Sequence, residues 1–122
     1  ISKENNNMDV TLSDVSDKAL EVCNRNKINL NSNVKSIKLD LNSKLQHHKK
    51  YDLILSFRSW GYLYDLSLYE DFVRKTLNPD GIVITDLSIF DNSIDKFSKL
   101  FKDVTLINEA ANNKRFIGKN IK

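Results

Sequence analysis

Two continuous apolar runs, Leu53-Ile54-Leu55 and Ile82-Val83-Ile84, limit most what this chain can fold into. A run without polar alternation predicts a strand covered on both faces, which is the habit of parallel sheets. Between the runs, Tyr69, Phe72, Val73 and Leu77 recur at helical spacing and predict an amphipathic helix. Asn78-Pro79-Asp80-Gly81 predicts a turn before the second run. Residues 51–85 therefore read as a strand, helix and parallel strand joined by a right-handed crossover. The loop at residues 56–62 (SFRSWGY) leaves the carboxyl end of the first strand, where ligands bind in open α/β sheets.

The remaining chain supplies more units of the same kind. Residues 8–12 predict a short strand, and Ser16 with Asp17 predicts a capped helix running to about Asn26. Val34, Ile37 and Leu39 imply a strand ending at Asp40. After the second apolar run, 87–92 reads as a loop, and Ser93 as the cap of a helix bearing Ile94, Phe97, Leu100 and Phe101. Residues 104–107 and 115–118, separated by a turn at 108–113, predict an antiparallel hairpin. The expected order is β-α-β-β-α-β-α-β-β in a single domain spanning residues 1–122.

Composition sets outer limits. Forty per cent apolar and 29 per cent charged residues exclude global disorder. The single cysteine, Cys23, excludes an internal disulfide and fits a reducing, cytoplasmic setting. No window is apolar enough to span a bilayer as a helix, so no membrane partner is expected. The net charge of +3 and the short cluster His47-His48-Lys49-Lys50 fall short of a basic, aromatic-laced nucleic-acid surface. His47 and His48 lack further ligands at metal spacing, so no metal is expected.

Several residues stand where chemistry could occur, each with a plainer alternative. Asp14 follows a strand and precedes a helix, where a carboxylate can accept from both ribose hydroxyls or simply cap the helix. Asp40 also ends a strand and could accept from an adenine amino group or serve a turn. Asp52 begins its strand, at the end away from any ligand crevice, and reads as structural. Arg58 and Trp60, flanked by Phe57 and Tyr62, could stack on and orient a substrate, or the aromatics could cover the edge of the core. No G-x-S-x-G, catalytic triad or glycine-rich phosphate loop is present, and with only three glycines, at 61, 81 and 118, the chain cannot hold a G-x-G-x-x-G.

Taken together the segments are similar to class I S-adenosylmethionine-dependent methyltransferases. VTLSDVSDKALEVCNRN resembles that family's ribose-binding segment, VKSIKLDLN its adenine-reading segment, YDLILSFRSWGYL its fourth motif, and LNPDGIVITDL its L-x-P-G-G segment. Ser-Trp-Gly-Tyr followed by a Leu-x-x-Tyr helix is similar to bacterial sugar O-methyltransferases. The resemblance implies a Rossmann-like, mostly parallel sheet with helices on both faces and a C-terminal antiparallel hairpin. It also implies S-adenosylmethionine as cofactor, with Asp14 and Val15 at the ribose, Asp40 and Leu41 at the adenine, and Ser56 and Phe57 toward the methyl-transfer centre. Arg58, Trp60 and Tyr62 then face a small-molecule acceptor.

One departure is large. The family's first strand and glycine-rich loop should lie about 20 residues before the acidic residue, yet only 13 residues precede Asp14 and none is glycine. In the family that strand is central, so its absence leaves a gap between the strands ending at Asp14 and beginning at Tyr51. The chain is accordingly expected to be the carboxyl-terminal part of a longer protein, or to receive the strand from another segment or another copy. The implied function is methyl transfer to an oxygen of a small, sugar-like acceptor. A non-catalytic or partner-dependent methyltransferase-like binding module is the alternative.

Overall fold

A computed structural model describes residues 9–14, 16–26, 33–41, 49–57, 60, 65–110 and 112–122. The described elements follow the expected order: β1 (Asp9–Asp14), α1 (Asp17–Asn26), β2 (Asn33–Lys38), β3 (Tyr51–Ser56), α2 (Leu66–Thr76), β4 (Leu77–Ser88), α3 (Ser93–Leu100), β5 (Phe101–Glu109) and β6 (Asn113–Ile121). They group as two compact units, residues 1–40 and 41–122.

In the first unit β1 and β2 form a parallel two-stranded sheet with Asp14 opposite Lys38. Helix α1 begins as the sequence predicts. The Ser16 hydroxyl accepts from the amide of Ala19 at 3.3 Å, and Asp17 stands in the positive first turn. Lys38 reaches Asp17 across the unit at 3.1 Å, an exposed pair of little energetic weight.

The second unit is a four-stranded mixed sheet in the order β3-β4-β6-β5. β3 and β4 are parallel, with Leu53 opposite Ile82 and Ser56 opposite Thr85. β6 runs antiparallel to both β4 and β5, which is the expected terminal hairpin. Along the chain, the passage from the sheet of the first unit to that of the second falls between β2 and β3.

Alternation along β4 sorts its side chains into two sets. Val83, Thr85 and Leu87 are fully buried; Val83 and Leu87 join Val73 from α2 and Phe97 and Leu100 from α3 in one core. Tilted rings run through this core: the centre of Phe97 lies 4.9 Å from that of Phe101 and 6.3 Å from that of Phe116. Gly118 of β6 lies under Phe101, where a Cβ would come within 2.6 Å of the ring. The opposite set, Ile82, Ile84 and Asp86, shares its face with Leu55, which remains exposed.

Three local expectations are corrected. Residues 78–81 are not a free turn but a bulge within the continuous strand β4: five residues of β4 advance against two of β3 between the Tyr51–Leu77 and Leu53–Ile82 pairs. The Asn78 side-chain amide donates to Asp52 Oδ1 at 2.7 Å and fastens the bulge, giving Asp52 the structural role expected of it. Leu87 and Ser88 prolong β4 rather than opening a loop, because β6 pairs with them at Lys114 and Asn113. Ser93 does not cap α3. Asn92 holds the cap position, Asp91 Oδ1 accepts from the Ser93 amide at 2.8 Å, and Ser93 is buried as the first helical residue.

Candidate functional site

Asp14 ends β1, and Asp40 lies two residues beyond Lys38, which is the register partner of Asp14. Both carboxylates are therefore at the carboxyl edge of the same parallel pair, the edge at which open α/β sheets bind ligands. Asp14 is exposed, and its Oδ1 accepts from the amide of Ser16 at 2.9 Å. That bond is the helix-entry role the sequence allowed, and it uses one carboxylate oxygen. The backbone carbonyl of Asp14 accepts from the amide of Leu39 at 3.0 Å, tying the two strand ends together immediately before Asp40.

In the second unit, Ser56 and Phe57 stand at the carboxyl end of β3. The Thr85 hydroxyl, fully buried, donates to the Ser56 carbonyl at 2.8 Å and fixes the strand end just before Phe57. Phe57 is 47% exposed, and the guanidinium of Arg115 lies 4.3 Å from the centre of its ring. Arg115 Nε and Nη2 donate to the two oxygens of Asp86 at 2.7 and 3.1 Å, a bidentate pair across the β4–β6 register. Asp86 is 3% exposed, so its carboxylate depends on this partner. The hydrogen bond to Asp86 raises the Arg115 pKa above its usual value, keeping the guanidinium charged.

Trp60 is placed in the core. It is 3% exposed, stacks on Tyr69 with ring centres 5.3 Å apart, and meets Phe97 edge-on at 5.6 Å. This is the core-covering alternative, and Trp60 presents no open face on which a substrate could stack. Leu41 also packs against this core. Val15, Arg58 and Tyr62 lie outside the described residues. Among the described residues no group of three His, Cys, Asp or Glu side chains is arranged to hold a metal ion, and no helix is long and apolar enough to cross a membrane.

Sequence reasoning missed Asp86 and Arg115. A signal existed: Asp86 stands between the apolar run Ile82-Val83-Ile84 and Leu87, and a carboxylate carried into a buried strand needs a partner. The identity of that partner depended on the β4–β6 register, which no local pattern encodes.

Comparison with known proteins agrees with this architecture. The family model described as a methyltransferase domain matches residues 1–119. No curated protein matches the chain. Among solved structures, the CMeT domain of the citrinin polyketide synthase is similar with a TM-score of 0.72 and 13% identity, over 92% of this chain and 39% of that one. A StiE O-MT structure is similar with a TM-score of 0.69 and 16% identity, over 98% of this chain and 62% of the other. PKMT2 from Rickettsia typhi, solved in complex with AdoHcy, is similar with a TM-score of 0.58 and 17% identity, over 73% of this chain and 18% of that protein. The chain thus spans less than two thirds of each of these three structures.

Proposed function

We propose that this chain, which belongs to the methyltransferase domain family, carries the nucleoside-binding edge and the acceptor-side wall of an S-adenosylmethionine-dependent methyltransferase acting on a hydroxyl of a small, sugar-like acceptor. The observation that supports this reading best is the placement of Asp14 and Asp40 at one carboxyl edge of the parallel pair β1-β2. In it, Asp14 accepts from the ribose hydroxyls with the oxygen that Ser16 does not use, and Asp40 with Leu41 reads the adenine.

These acceptors suit the ribose hydroxyls and the adenine amino group, the nucleoside half of the cofactor. The three glycines of the chain, Gly61, Gly81 and Gly118, are too dispersed to form a glycine-rich loop, so no residue here is assigned to the methionine half. When bound, S-adenosylmethionine supplies an electrophilic methyl on a sulfonium. The chain's own contribution is orientation: Ser56 and Phe57 wall the transfer centre, and Arg58 and Tyr62 orient the acceptor. Such a transfer depends on in-line placement of nucleophile and methyl more than on acid–base machinery.

Calorimetry with S-adenosylmethionine on the complete gene product tests the reading. Binding that Asp14→Ala weakens is the expected result, and no binding at millimolar cofactor would overturn it. Binding without methyl transfer to any hydroxyl-bearing acceptor would favour a non-catalytic module instead.

A further inference from the structure

The array of Phe57, Arg115 and Asp86 at the carboxyl end of β3 and β4 has no part in the sequence-derived site beyond Phe57. Three strands contribute to it, and each member is fixed by the next. Thr85 holds the carbonyl of Ser56, so the backbone entering Phe57 is set. The guanidinium of Arg115 lies under the Phe57 ring at 4.3 Å and is itself held at two nitrogens by Asp86. A phenyl ring that is 47% exposed at a strand end would ordinarily sample several rotamers. Stacked on a planar group that cannot turn, it keeps one.

The charges in the array also have a consequence. A bare guanidinium behind an aromatic wall would repel a sulfonium on the other side. Asp86, 3% exposed and bonded through both oxygens, cancels that charge at short range. A lysine could supply the same charge but neither the fork nor the flat stacking surface.

From this geometry we infer that Arg115 is a positioning residue that holds Phe57 as a fixed wall of the cofactor site, and that Asp86 neutralises it so that the wall accepts a cationic sulfonium. The inference rests on the proposed cofactor. The experiment is calorimetric titration of the complete gene product with S-adenosylmethionine and, separately, S-adenosylhomocysteine, whose sulfur is uncharged. Each variant is checked for folding by its melting curve.

Arg115→Met should weaken S-adenosylhomocysteine binding about five-fold, and that effect should vanish when Phe57 is already leucine. Arg115→Lys, which keeps the charge beside Asp86 and so preserves the fold, should show the same dependence on Phe57. Asp86→Asn should weaken the methionine form about three-fold more than the homocysteine form. Additive effects of Arg115 and Phe57 substitutions, or equal losses for both ligands in Asp86→Asn, would overturn the inference. A wild-type protein that binds neither ligand would overturn the proposed cofactor, and this inference with it. That outcome is distinct from intact wild-type binding with insensitive variants.

Discussion

The ring of Phe101 packs against the backbone of Gly118 so closely that no Cβ fits between them: one built there would meet the ring at 2.6 Å. Gly118 pairs with Val83 on one side and Val104 on the other, so the strand cannot shift away without breaking two ladders. Gly118→Ala should therefore destabilise the second unit by about 1–3 kcal/mol, the usual penalty of overpacking. Phe101→Leu in the same chain should recover part of that loss. Denaturant titration of the single and double variants measures both effects.

Trp60 is the only tryptophan, which makes its burial directly observable. Its emission should be blue-shifted and resistant to acrylamide quenching. Trp60→Ala should lower stability by about 3–5 kcal/mol, as expected for a large buried ring. A red-shifted, freely quenched emission would contradict the stacking on Tyr69.

Helix α2 is capped by Asp65, whose Oδ1 accepts from the amide of Ser67 at 2.9 Å and from its hydroxyl at 2.8 Å. The Ser67 amide, followed by its hydroxyl, holds the Asp65 carboxyl below its ordinary value of 3.8. Because the folded-state pKa is depressed, the stabilisation is complete above the unfolded value and is lost as pH falls through the folded one. Asp65→Ala should lower the melting temperature at neutral pH, and the difference from wild type should close as pH drops below 3.8. Melting curves across that range check the sign.

At the proposed nucleoside edge, Asp14→Ala should weaken S-adenosylmethionine binding by about 1–3 kcal/mol, the worth of hydrogen bonds to a charged acceptor. Asp14→Asn keeps the ability to accept from Ser16 and separates helix entry from ribose binding. If both variants bind as wild type, Asp14 is not at the cofactor.

The order of elements was legible because each announces itself locally. Leu53-Ile54-Leu55 and Ile82-Val83-Ile84 are apolar without alternation, and Tyr69, Phe72 and Val73 keep helical spacing. Pro79 and Gly81 misled, because they punctuate the chain in the same way whether the strand stops or bulges, and β3 decides between the two. Ser93 misled because the helix begins one residue earlier: Asn92 takes the cap position, and Asp91 accepts from the amide of Ser93 itself. Of the candidate site, Asp14 and Asp40 could be aligned in advance by their positions at strand ends. Arg115 beneath Phe57 could not, since three strands must first find their register.

The bulge at residues 78–81 reaches further than its own neighbourhood. Side chains alternate along β4, so a one-residue slip would exchange its two faces throughout. Asp86 would then point into the aromatic core with no guanidinium to meet it, and Thr85 would leave the carbonyl of Ser56. The hydrogen bond from Asn78 to Asp52, at the end of the sheet remote from any ligand, thus acts as the phase-setting pin for the end at which chemistry is proposed.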